Sequence, residues 1–255
     1  MPVKRFISVF LVMLLLAGAA SAGGFETLER PDGWECFEQP WGWTDESPYM
    51  WYWVYVPENF EPGMPLVVYL HSSLAMNRKA LTDPLPRMII DGEIENVQAV
   101  VLVPQLPGDT DKDWLSAFDA VNDIVAKVMD EYQVDPDRVA LAGFSLGAIT
   151  AFEFVESTPD RYARMLSICG KVNYVRVQVD SFRNTELKVF TAAHDQTVNS
   201  ASALSFVQWM NDAGYPAASE VVELSHEEVA NDVFARKEIQ EWLWLIPESE
   251  GEVQE

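Results

Sequence analysis

Arg138-Val-Ala-Leu-Ala-Gly-Phe-Ser-Leu-Gly147, running on into Ala148-Ile-Thr-Ala-Phe-Glu-Phe154, decides how this chain is read. Val139 to Ala142 is a short apolar run suited to a buried strand. After it, Leu146, Ile149, Phe152 and Val155 recur at three-residue spacing, a helix pattern. Between them Gly143-Phe-Ser-Leu-Gly147 spells G-x-S-x-G. Strand, sharp turn and helix are the context in which such a serine projects from a strained turn as a nucleophile. Gly143 and Gly147 flank Ser145 at two residues on either side and allow strand and helix to approach closely. The helix N-terminus then aims N–H groups, Leu146 first, at a developing oxyanion.

Working outward, short apolar runs alternate with helical patterns. Strands are expected at Tyr49–Val56, Leu66–Leu70, Ala99–Val103, Met165–Cys169, Leu187–Ala193 and Ala218–Leu224. Helices are expected over Trp114–Tyr132 and Ser200–Ala213, with one or two more in Val229–Leu245. Residues 23–48 read as irregular, and 171–186 as an irregular insertion. Continuous apolar strands covered on both faces imply an α/β fold with a mostly parallel central sheet flanked by helices. The domain organisation is a signal peptide at 1–22, one domain over 23–247 and an acidic tail at 248–255.

The leader reading rests on Lys4 and Arg5, an apolar run from Phe6 to Ala20 and an Ala20-Ser-Ala22 cleavage site. It implies a secreted or periplasmic protein with no stable membrane insertion after cleavage. Without residues 1–22 the chain keeps 15 basic and 40 acidic residues, a net charge of −25. That balance excludes nucleic acid as a partner, since phosphate binding needs clustered Lys and Arg. Cys36 and Cys169 are the two cysteines. An oxidising compartment permits a disulfide, and the apolar run before Cys169 equally suits a buried thiol. No C-x-x-C or His/Cys cluster calls for a metal, and no cofactor is implied. Trp34, Trp41, Trp43, Trp51 and Trp53 read chiefly as packing for the first strands, with a sugar-stacking platform as the alternative.

A serine nucleophile needs a base, and the base an orienting carboxylate. The three histidines are His71, His194 and His226. His226 lies after the last strand in what reads as a loop, and so fits the base in the order Ser, acid, His. Glu227 and Glu228 beside it would favour its protonation if they turned towards it. Asp195 ends the strand before it and fits the acid, with Asp180 as competitor. His194 is then a local packing or hydrogen-bonding residue. His71 precedes Ser145, and its segment suits the oxyanion hole, with Ser73 as the second N–H donor and Leu74 as the alternative.

Here the chain resembles the α/β-hydrolases, and among them the esterases and predicted peptidases related to polyhydroxybutyrate depolymerases and feruloyl esterases. The segments that carry the likeness are Pro65 to His71, Val103-Pro-Gln105 with Trp114, Asp135 to Val139 leading into the elbow, Pro159 to Ala163, and Ile168-Cys-Gly170. Phe190 to Val198 is similar to the acid segment and Leu224-Ser-His226 to the base segment. The resemblance implies a triad of Ser145, Asp195 and His226. It implies a secreted serine hydrolase that cleaves small or polysaccharide-linked carboxylic esters through an acyl-enzyme. A serine peptidase or a non-catalytic glycan-binding relative are the alternatives. Ser72 stands where the family usually has Gly, a residue that permits positive φ or close approach. Thr191-Ala192 replaces His-Gly, and Ala148 a second Gly.

Overall fold

A computed structural model describes residues 30–44, 47–107 and 114–245. The leader at 1–22, the loop 108–113, the side chain of Trp43 and the tail at 248–255 lie outside the described residues.

Among the described residues, eight strands form one sheet: β1 (Trp34–Thr44), β2 (Ser47–Tyr55), β3 (Leu66–Leu70), β4 (Val100–Gln105), β5 (Val139–Phe144), β6 (Arg164–Ile168), β7 (Glu186–Ala192) and β8 (Ala217–Val222). Their spatial order is β1-β2-β4-β3-β5-β6-β7-β8. The pairs β1/β2 and β2/β4 are antiparallel, and all others are parallel. The helices are α1 (Pro84–Ile90), α2 (Phe118–Glu131), α3 (Leu146–Ser157), α4 (Ala201–Asp212), α5 (His226–Ala235) and α6 (Lys237–Leu243).

Strand parity sorts the layers, because successive side chains point to opposite faces. Leu66, Val68, Leu70, Leu102, Leu141, Met165 and Val189 join the buried faces of α2, α3 and α4 in one cluster. Phe152 links Phe182 and Phe206 there, and Phe118 meets Phe154 edge-on. The opposite parity, with Tyr69 on Phe234, faces α5. Strands β3, β4 and β5 are buried at every residue, as a sheet covered on both sides requires.

Ahead of the elbow, the fold departs from the sequence reading in two places. The stretch expected to be irregular contains β1, which pairs with β2 from Trp34↔Tyr55 to Pro40↔Tyr49. Its sequence lacks clean alternation, and pairing with β2 makes it a strand; Phe37 stacks on Tyr52 at 5.3 Å. Pro40 is tolerated because β1 is the sheet edge. The helix expected from Trp114 begins at Phe118 instead. Trp114 is turned into the fold, where its indole N–H donates to the His71 carbonyl at 3.2 Å.

Among the tryptophans, Trp34 and Trp53 are buried, Trp41 packs against the core, and Trp51 lies under the Arg78 guanidinium at 4.0 Å. These four act in packing. No disulfide joins Cys36 and Cys169, and Cys169 is buried. Among the described residues no helix is long and apolar enough to cross a membrane.

Candidate active site

The site lies at the carboxyl ends of β3, β5, β7 and β8, where open parallel sheets collect their functional groups. Ser145 follows β5 directly and holds φ 52°, ψ −114°, a conformation that non-glycine residues rarely adopt. The glycines explain how the turn closes. A Cβ on Gly143 would stand 2.6 Å from the Gly147 carbonyl carbon, and one on Gly147 would stand 1.8 Å from the Leu70 oxygen. Both neighbours are backbone and cannot swing aside. The elbow is therefore pressed onto its own helix and onto the end of β3.

The Ser145 Oγ lies 2.9 Å from His226 Nε2, and His226 Nδ1 lies 2.7 Å from Asp195 Oδ2. The other Asp195 oxygen accepts the N–H groups of Thr197 and Val198, each at 2.8 Å. Burial works against ionisation of this carboxyl. The His226 contact and the two backbone donors outweigh it and hold Asp195 below the usual carboxylate range. An ionised Asp195 can only accept, so His226 Nδ1 carries the proton and Nε2 is left to accept from the serine hydroxyl. The Phe144 ring lies against the imidazole at 5.1 Å and limits its rotation.

His226 is not in a loop, as its sequence suggested, but opens α5. Ser225 caps that helix, and Glu228 folds back onto the Ser225 N–H and hydroxyl, away from its neighbour's ring. His194, 67% exposed at its side chain, faces Glu223 at 3.4 Å and takes no part. Asp180 is also apart; it accepts from the Tyr215 hydroxyl on the surface.

The segment after β3 is the second wall. His71 is fully buried. Its Nδ1 donates to the Ser72 carbonyl at 2.7 Å, and its Nε2 accepts the Leu106 N–H at 3.0 Å, which fixes a neutral tautomer. Burial lowers its pKa, with Ser72 and Asp83 opposing. Gln105 closes the network by accepting from the Ala80 N–H and donating to the carbonyls of Ala75 and Leu106. Ser72 holds φ −70°, ψ 168°, so its backbone has no need of glycine. Ser73 and Leu74 start a 3-10 turn on the exposed side of this wall. Leu146, as the first residue of α3, has an N–H with no intrahelical acceptor.

Sequence reasoning missed two neighbours of these residues. Asp83 is a buried partner of Ser72. Cys169 has its Sγ within 4.8 Å of the nearest Asp195 and His226 ligand atoms. Those three groups could in principle ligate a metal ion, but His226 and Asp195 are already engaged with one another. Burial foremost, with Asp195 adding to it, pushes the Cys169 thiol up to about 12.

Neither a family model nor a curated protein sequence matches the chain. Solved structures do. A thermostable esterase superposes with TM-score 0.65 at 21% identity over 84% of this chain. The chain spans 63% of that protein's length, less than two thirds. An esterase of Pyrobaculum calidifontis gives 0.60 at 17%, covering 85% of this chain and 84% of its own. The chain has the α/β-hydrolase fold. A mutant feruloyl esterase module from Clostridium thermocellum, complexed with sinapinate, gives 0.59 at 12%, covering 80% and 86%.

Proposed function

We propose that the protein is a serine hydrolase of carboxylic esters, with Ser145 as nucleophile, His226 as base and Asp195 as the orienting acid. The observation that carries this reading is the unbroken path from Ser145 Oγ through His226 to Asp195, at 2.9 and 2.7 Å, on a strained elbow. Ser145 attacks the ester carbonyl as its proton passes to His226 Nε2. Asp195 stabilises the imidazolium and keeps Nδ1 protonated. The N–H groups of Leu146 and Ser73 hold the oxyanion. His226 then protonates the leaving alcohol, and water activated by the same imidazole releases the acid from the acyl-enzyme.

Esterases among the structural neighbours support ester over amide substrates. The neighbour complexed with sinapinate supports a small aromatic acyl group. Residues 1–22 act as a cleaved leader, so the enzyme works outside the cytoplasm. Among the described residues, the packing roles of Trp34, Trp41, Trp51 and Trp53 favour the hydrolase over a glycan-binding relative.

A panel of p-nitrophenyl, feruloyl, acetyl-sugar and hydroxyalkanoate esters, run beside peptide anilides, tests the reading. Turnover of at least one ester, lost in Ser145→Ala, is the expected result. Turnover of anilides alone would make the protein a peptidase, and turnover of neither would overturn the proposal.

A further inference from the structure

One buried carboxylate beside the site has no part in the chemistry above. Asp83 is 4% exposed and stands just before α1, where an aspartate ordinarily caps the helix. It makes no such cap. Its side chain turns instead to the loop after β3. Oδ2 accepts the Tyr69 hydroxyl at 2.6 Å and the Ser72 N–H at 2.9 Å, and Oδ1 accepts the Ser72 hydroxyl at 2.6 Å. Burying a carboxylate is costly unless donors replace its water. These three are neutral, and two of them come from Ser72.

The consequence lies in the next peptide plane. The Ser72 carbonyl is held by His71 Nδ1 at 2.7 Å and by the Ala75 N–H at 3.2 Å. In a planar trans peptide the C=O of one residue and the N–H of the next point in opposite directions. Fixing Ser72 at its N–H, hydroxyl and carbonyl therefore fixes the direction of the Ser73 N–H. The same loop is in register with the elbow, because Gly147 rests on the carbonyls of Leu70 and His71.

We propose that Asp83, braced by Tyr69, is a positioning residue that clamps Ser72 and so aims the Ser73 N–H at the oxyanion formed on Ser145. The proposal rests on the serine hydrolase reading. It also gives Ser72 a purpose: its hydroxyl is the third ligand that a glycine could not supply. The clamp works by geometry and not by charge, since an anion beside an oxyanion would oppose it. Asparagine can keep the clamp, with its Oδ1 accepting from Tyr69 and the Ser72 N–H and its Nδ2 donating to the Ser72 hydroxyl.

The test compares wild type, Asp83→Ala, Asp83→Asn, Ser72→Ala and Ser145→Ala. It measures kcat and KM on a p-nitrophenyl ester, Ki for a trifluoromethyl ketone that forms an oxyanion adduct, and thermal unfolding. Asp83→Ala should lower kcat roughly 100-fold, the low end for losing one oxyanion donor, with KM little changed and Ki weakened in parallel. Asp83→Asn should restore most of both. A folded Asp83→Ala with unchanged kcat and Ki would overturn the proposal. If Asp83→Ala does not fold, Ser72→Ala decides: a parallel loss in kcat and Ki supports the clamp, and no change in either overturns it. Full turnover by Ser145→Ala would instead sink the hydrolase reading beneath it.

Discussion

The elbow at Ser145 and the loop facing it from β3 form two walls of one site, and they are held in place differently. The elbow is held by backbone. Two missing Cβ atoms let strand, helix and neighbouring strand touch, and the strain at Ser145 is fixed by contacts that cannot rotate away. The loop is held by side chains. Gln105, Trp114 and Asp83 come from three separate segments and, with the ring of His71, tie down residues 71–75 by hydrogen bonds. A backbone-built wall should fail all at once when altered, whereas a wall built from side chains should weaken bond by bond.

The largest expected effect tests what both walls serve. Asp195→Asn should leave the fold in place and lower kcat by about 10⁴-fold, since an amide no longer dictates the His226 tautomer. Steady-state kinetics on an activated ester measure this. Because Asp195 is held below its ordinary range when folded, it contributes stability above that range and loses it as pH falls through the folded value. Urea unfolding of wild type and Asp195→Asn should therefore differ at neutral pH and converge in acid.

Gly147→Ala comes next and would break the comparison if it were mild. A methyl group 1.8 Å from the Leu70 oxygen has no side chain to displace, so we expect a loss of roughly 3 kcal/mol or more, or no folded protein. A denaturation midpoint close to wild type would contradict a backbone-held elbow. Trp114→Phe sharpens the other side. It removes one donor to the His71 carbonyl and keeps most of the packing, so it should cost about 1 kcal/mol and lower kcat only several-fold. The smallest effect concerns Cys169. With its thiol pushed up to about 12 and fully buried, it should resist iodoacetamide at pH 8 in the native protein and react after unfolding. Mass spectrometry of the modified peptides reads this directly.

The contrast also explains what could be read in the sequence. The elbow was legible because its constraints are local. Two glycines at fixed offsets, an apolar run before and a helical period after lie within twenty residues. That Asp195 and His226 would meet Ser145 could be read because strand order supplied their sequence and few histidines competed. The loop was not legible. Nothing near Asp83 signals that it serves Ser72; before Pro84 it reads as a helix cap. A tyrosine within the otherwise apolar strand Leu66–Leu70 was the available hint of a buried polar partner. β1 was missed for a similar reason, because pairing with β2 and not its own pattern makes it a strand. The resemblance did mark Gln105 and Trp114, but their work of holding His71 needed three dimensions.

The account turns on Ser145 as a nucleophile activated by His226. Intact-mass analysis after exposure to a fluorophosphonate tests this most directly. The account predicts one adduct per chain, located on Ser145, absent in Ser145→Ala and formed far more slowly in His226→Ala. An adduct that survives Ser145→Ala, or a folded wild-type protein that takes up none, would contradict it.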